Sequence, residues 1–218
     1  MSFVTIERKV LEKNDEIARQ NRALLSKHGL FSINLVSSPG AGKTTLLERT
    51  FAELAGRLRV RVVEGDVQTD IDAQRIAKLD VPVVQIVTNG ACHLEAKLVQ
   101  DALTQLDLRG AELLVIENVG NLVCPAGFDL GEDLKVVVVS TTEGDDKPLK
   151  YPAMFRNASV LVINKTDLLP YVDCDLAALR QRALQINPSL RVFETSCKTN
   201  AGIPEWCRWL EDQVRAKK

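Results

Sequence analysis

The stretch that decides the fold is Ile33-Asn34-Leu35-Val36-Ser37-Ser38-Pro39-Gly40-Ala41-Gly42-Lys43-Thr44-Thr45. An apolar run short enough to be a strand enters a glycine-bearing turn, and the residues over 44–55 repeat apolar positions at helical spacing. Strand, loop and helix in that order are the setting a phosphate-binding loop requires. Glycines at 40 and 42 let the backbone curl, so that the N–H groups of Gly40 to Thr45 point inward, and the following helix adds its dipole. Lys43 would lie along the β- and γ-phosphates and act in catalysis, while the Thr44 hydroxyl would hold Mg²⁺. The first glycine of the usual pattern is Ser37 here, at a position that needs only a small residue.

Outward from that loop, short β-branched runs alternate with amphipathic ones. Strands are expected at 33–36, 60–63, 83–87, 113–117, 136–140, 160–163 and 192–195. Helices are expected at 44–55, 73–78, 94–106, 176–186 and 204–214, with a short one near 152–156. Nearly unbroken Val, Ile and Leu in the strands implies that helices cover both faces. The fold class is therefore α/β, a three-layer P-loop NTPase domain on a mainly parallel, doubly wound sheet of about seven strands. Ligands then belong at the carboxyl ends of the strands. Before this region Ile6, Val10, Ile17, Leu24 and Leu25 mark a helix over 5–27 that stops near Gly29. The division expected is an N-terminal helical segment, 1–30, and a P-loop domain, 31–218.

Composition agrees and excludes alternatives. The chain has 218 residues, 45% hydrophobic and 26% charged, and a net charge of −1 from 28 basic and 29 acidic residues. This is the balance of one globular domain, with no basic excess for nucleic acid and no apolar run long enough for a membrane. Five scattered cysteines do not form a disulfide framework, and the first residues do not read as a signal peptide. The expectation is a reduced, cytoplasmic protein.

Which base is bound is read from Asn164-Lys165-Thr166-Asp167, at the end of a predicted strand. The Asp167 carboxylate can accept from both the ring N–H and the exocyclic amine of guanine. Adenine offers no such donor pair, and leaves a buried carboxylate unpaired. The stem of Lys165 can cover the base and Asn164 can tie loops together. Ser196-Cys197-Lys198 comes after the last strand, where Ser196 and Lys198 would contact the base.

Two further loops carry acids. Glu64-Gly65-Asp66 closes the second strand and is followed by Asp70 and Asp72; Glu117 closes the fourth and is followed by Gly120. Glu117 and Asp66 are candidate Mg²⁺ holders, and Gly120 can turn its N–H to a γ-phosphate as a switch. Cys92 and His93 stand just before a predicted helix, and Cys124 lies beyond the Gly120 loop. Thiolate and imidazole suit Ni²⁺ and Zn²⁺, and three ligands leave a site that a second subunit could complete. Seven residues separate Glu117 from Cys124, at most ~25 Å of chain. A γ-phosphate contact at Gly120 should therefore move the segment carrying Cys124 and change metal affinity.

S-S-P-G-A-G-K-T-T, E-G-D, A-C-H-L-E-A, E-N-V-G-N-L-V-C-P-A-G-F-D-L-G, S-T-T-E-G-D-D-K-P and N-K-T-D together resemble the HypB family of hydrogenase nickel-incorporation GTPases. The resemblance covers nearly the whole chain. It implies GTP hydrolysis, a homodimer in the GTP state, and a metal site at Cys92, His93 and Cys124 on the dimer interface. It also implies delivery of nickel to a hydrogenase large-subunit precursor, with a HypA-like nickel carrier as partner. The family's switch aspartate corresponds to Asp72, which would act on the attacking water or the magnesium shell. Two histidines and no histidine-rich tract point to this site rather than to nickel storage. Turnover should be slow, because no arginine finger is evident and Asn121 stands where faster relatives carry a water-positioning glutamine. Other readings within reach of the motifs are a urease-accessory type GTPase (whose Cys-Pro-His motif is absent), a metal carrier that binds GTP without turnover, and an ATP-dependent kinase.

Overall fold

The computed structural model describes residues 6–68 and 71–217, with side chains described from residue 11 except that of 71. Asp70, Thr5, and the side chains of Ile6 and Val10 therefore lie outside the described residues. Seven strands are present: β1 (Phe31–Ser37), β2 (Val60–Asp66), β3 (Val83–Val87), β4 (Leu113–Glu117), β5 (Leu134–Ser140), β6 (Val160–Asn164) and β7 (Arg191–Glu194). They form one sheet in the order β3-β2-β4-β1-β5-β6-β7, and every pairing is parallel. The helices are α1 (Ile6–Lys27), α2 (Lys43–Leu54), α3 (Ile71–Ala77), α4 (Ala96–Leu103), α5 (Lys147–Lys150), α6 (Pro152–Asn157), α7 (Leu176–Ile186) and α8 (Ile203–Lys217).

Alternation along each strand sorts side chains into two cores. Phe31, Ile33 and Leu35 of β1 join Val136 and Val138 of β5 under α2 and α8, with Ile76 of α3 beside them. The residues between them point to the opposite face. There Leu114 and Ile116 meet α1 and α4, and Val36, Val137 and Val139 meet α6 and α7. Both faces are covered, which is why β1, β4 and β6 are buried along their whole length. Strand β1 lies between β4 and β5, and the chain crosses over it in passing from β4 to β5. Consecutive connections therefore diverge at its carboxyl end, and a crevice opens there. No helix among the described residues is long and apolar enough to cross a membrane.

The expected strands at 83–87 and 113–117 and the helix at 176–186 coincide with β3, β4 and α7. The helix expected at 94–106 begins two residues later, at Ala96, and ends at Leu103. Leu94 is instead held in the preceding loop, its N–H donating to the Asn118 side chain at 3.1 Å. Short helical turns at Cys124–Gly127, Thr141–Glu143 and Thr166–Tyr171 were not expected. Each is only a few residues long, too short for a periodic pattern to show.

Trp206 closes the α2–α8 face. It is fully buried, its indole N–H donates to Thr50 Oγ1 at 3.0 Å, and it meets Phe193 edge-on with centroids 5.4 Å apart. Trp206→Ala should lower unfolding free energy by about 3–5 kcal/mol, to be read as a fall in the urea midpoint.

Candidate nucleotide cleft and metal cluster

The phosphate loop leaves β1 and enters α2 through two glycines with left-handed φ, +77° at Gly40 and +94° at Gly42. Gly42 is required on a second ground, because a Cβ there would sit 2.7 Å from the Asn164 side-chain nitrogen. Ser37, in place of the usual glycine, accepts a hydrogen bond from Lys43 Nζ at 3.0 Å and donates to the Ser38 carbonyl at 2.6 Å. A second ammonium reaches the same loop: Lys147 Nζ lies 3.2 Å from Ser38 Oγ and 3.2 Å from Glu143. A cavity of about 510 Å³ opens over the loop, walled by Lys43, Thr44, Glu64, Asp66, Asp72 and Gly120 among others.

Parallel pairing sets Glu64 of β2 directly beside Glu117 of β4. The two are 2% and 3% exposed. Thr44 Oγ1 donates to Glu117 Oε1 at 2.8 Å, yet Oε2 of each glutamate is buried with no partner. Burial above all, with Glu117 close by, pushes Glu64 up to about 8; burial also raises Glu117 against the opposing pull of Lys43. Two buried, half-satisfied carboxylates beside a hydroxyl form a hard-oxygen donor set that fits Mg²⁺. Asp66, at the end of β2, and Asp72, in the first turn of α3, line the same cavity. Asp72 Oδ1 pairs with Arg75 Nη1 at 3.0 Å. The same guanidinium donates to Glu48 at 2.7 Å and to Thr45 Oγ1 at 3.1 Å. Arg75 thus puts an arginine on the cavity wall, already occupied by three partners. The motifs gave no sign of it.

Beyond Gly42 the cleft continues into a space of about 330 Å³ lined by Asn164, Lys165, Asp167, Leu168, Cys197 and Lys198. Asn164 Nδ2 donates to the Ala41 carbonyl at 3.1 Å and Lys165 Nζ to the Gly40 carbonyl at 2.7 Å, so the two loops are joined. Lys165 takes a left-handed φ of +61°. Ser196 Oγ donates to Asp167 Oδ1 at 2.5 Å, which takes one of the carboxylate's acceptor sites and leaves both oxygens able to accept from a base. Cys197, between Ser196 and Lys198, forms part of this lining.

Cys92, His93 and Cys124 converge, with one ligand atom from each within 4.8 Å of the others. Cys92 Sγ is 3.6 Å from His93 Nδ1. His93 Nε2 is buried with no partner, its ring lies 4.1 Å from that of Phe128, and burial lowers its pKa. An imidazole and two thiols brought together in this way are a donor set for Ni²⁺ or Zn²⁺, short of the four ligands of a closed zinc site. Cys92 and His93, expected immediately before a helix, share a single loop after β3, and α4 begins at Ala96 rather than at 94.

Several side chains that brace this cluster escaped sequence reasoning. From α1, Asn14 accepts from the Ala96 N–H at 2.8 Å and donates to the Asp129 carbonyl at 2.7 Å. Asn21 donates to the carbonyls of Ala96 and Leu130 at 2.9 and 3.0 Å. The buried Lys135 ammonium donates to the carbonyls of Pro125 and Phe128. Asn121, at the position where faster relatives carry a water-positioning glutamine, donates to the Cys92 carbonyl at 3.2 Å. The one sequence signal was polar residues at positions of apolar periodicity, as with Asn14 and Asn21.

Comparison with known proteins matches residues 31–194 to the CobW/HypB/UreG nucleotide-binding domain. The hydrogenase maturation factor HypB of Azotobacter vinelandii is 52% identical over 97% of this chain and 70% of its own. The probable HypB of Methanocaldococcus jannaschii is 40% identical over 100% and 99%. The solved structure of Helicobacter pylori HypB in complex with nickel superposes with a TM-score of 0.90, at 38% identity over 94% of this chain and 96% of that one. At such identity over nearly its whole length, the chain belongs to the HypB family of hydrogenase maturation factors.

Proposed function

We propose that the protein is a slow GTPase that delivers nickel during [NiFe]-hydrogenase maturation, dimerising with GTP and coupling nucleotide state to the Cys92–His93–Cys124 cluster. The observation that carries this reading is the position of that cluster, on loops leaving β3 and β4 beside the phosphate cavity. Cargo nickel would arrive from a HypA-like carrier and pass to a hydrogenase large-subunit precursor. The relative in Helicobacter pylori was solved with nickel, which favours nickel over zinc as the cargo.

Guanine would lie between the Lys165 stem and Leu168, its two donors on Asp167. Gly40, Ala41, Gly42, Lys43, Thr44 and Thr45 would wrap the phosphates. Thr44 and Glu117, with Asp66 at the strand end, would hold Mg²⁺, which supplies charge neutralisation at the β- and γ-oxygens. Lys43 would leave Ser37 for the γ-phosphate. Asp72, held by Arg75, is placed to orient water from the cavity wall. Turnover is slow because Arg75 is already engaged by Glu48, Asp72 and Thr45, while Asn121 faces the metal loop. Neither is free to stabilise the transition state as efficient GTPases do.

Lys43→Ala should cut GTP hydrolysis by about 10²–10³-fold in phosphate-release assays; near wild-type turnover would remove the phosphate-loop assignment. Asp167→Asn should reduce the preference for GTP over ATP on the order of ten- to a hundredfold, as read by competition binding. Cys92→Ala, His93→Ala and Cys124→Ala should each weaken nickel binding and leave GTP binding by single subunits intact. Sedimentation with a non-hydrolysable GTP analogue should show twice the 24.1 kDa chain mass, and a GDP-like profile would refute GTP-dependent dimerisation.

A further inference from the structure

We propose that Asn121 is the positioning residue through which nucleotide state reaches the metal cluster, acting by its hydrogen bond to the Cys92 main chain. This rests on the nucleotide–metal coupling proposed above.

Gly120 touches the phosphate loop, since a Cβ there would lie 3.2 Å from the Pro39 backbone. The residues before Gly120 are tied to the sheet. The Asn118 N–H donates to the Leu35 carbonyl of β1 at 2.9 Å, and its buried side chain bonds Asn34 at 3.3 Å and the Leu94 N–H at 3.1 Å. Leu94 also covers Gly65 of β2, where a Cβ would meet its side chain at 2.8 Å. Through Leu94, His93 is therefore fixed to the rigid side of Gly120.

The segment after Gly120 is held differently. Asn121 Nδ2 donates to the Cys92 carbonyl at 3.2 Å, and Oδ1 accepts from the Val123 N–H at 2.8 Å, closing the turn into Cys124. One side chain thus grips the segments carrying both thiols. Cys92 is joined to β3 through Asn89 and Gly90, both with left-handed φ (+51° and +104°), and nothing lies within 4 Å of a Cβ built at Gly90. That connection can yield. The Lys135 bonds to Pro125 and Phe128 limit the movement of Cys124 to a small one. Small is sufficient, because metal sites tolerate distance errors of only about 0.2 Å. A shift at Gly120 should carry the two thiols as a pair relative to the fixed imidazole.

The test uses two variants. Asn121→Asp keeps the acceptor for Val123 and removes the donor to Cys92, whereas Asn121→Ala removes both. Ni²⁺ is titrated into protein holding GDP or a non-hydrolysable GTP analogue, with thiolate-to-nickel absorbance as the readout. In the wild type the two affinities should differ by about fivefold or more. In both variants the ratio should fall towards one, while metal-free affinity for the analogue stays unchanged in Asn121→Ala. The Asp variant adds a carboxylate near the phosphates, so Asn121→Ala, which adds none, shows whether a lost ratio comes from the missing hydrogen bond rather than from charge. A full wild-type ratio in either variant overturns the role of Asn121 alone. A ratio of one in the wild type overturns the coupling itself, and the proposal with it.

Discussion

Everything at the catalytic edge depends on two carboxylates that parallel strand pairing forces together. Glu64 and Glu117 are opposite each other in β2 and β4, both buried, each with an oxygen lacking a partner. Burying two carboxylates side by side is unfavourable, and desolvation first, then the neighbouring Glu117, pushes Glu64 up to about 8. Lys43 stands near as a partial counter-charge. The surrounding sheet, apolar on both faces, makes up the deficit by burying β1, β4 and β6 throughout. A divalent cation brought in with a nucleotide would meet a site already poor in positive charge. The same electrostatic tension that weakens the empty site would strengthen the filled one.

The phosphate loop and the base-reading loop were legible because their chemistry is local. Gly40 and Gly42 curl a backbone, and Asn164-Lys165-Thr166-Asp167 needs only a strand before it. The strands were legible for a related reason: short Val- and Ile-rich runs stand out against the polar loops on either side, so the edge strand β3 and the fully buried β4 both fall where those runs fall. Glu64 was not recognised as part of the site, because its meaning lies in register with Glu117 on a non-consecutive strand. Arg75 was missed because helix α3 turns it back onto Thr45 and Glu48, which no spacing in its own segment encodes. The braces from α1 are more distant still, with 109 residues between Asn21 and Leu130.

Asn121 shows the limit of reasoning from motif position. Its place after Gly120 showed only that no water-positioning glutamine stands there, and gave no sign that its side chain bonds the Cys92 carbonyl. The direction was decided by the loop after β3, which sits close enough to offer a carbonyl. An asparagine, with one donor and one acceptor group, can close its own turn and hold that loop at once.

The metal cluster therefore inherits its geometry from two bodies with different freedom. On one side are the sheet, α1 and Lys135, which fix His93, the start of α4 and the chain beyond Cys124 through buried hydrogen bonds. On the other is the short segment from Gly120 to Val123, in contact with the phosphate loop and bonded to Cys92. A rigid site would bind metal with the same affinity whatever nucleotide was present, and a loose one would bind it poorly in every state. In the proposed coupling, three candidate ligands divided between a fixed imidazole and two thiols whose separate segments Asn121 holds would avoid both. The proposed coupling then requires no long pathway, because the loop carrying Cys92 and His93 and the loop after Gly120 share one hydrogen bond.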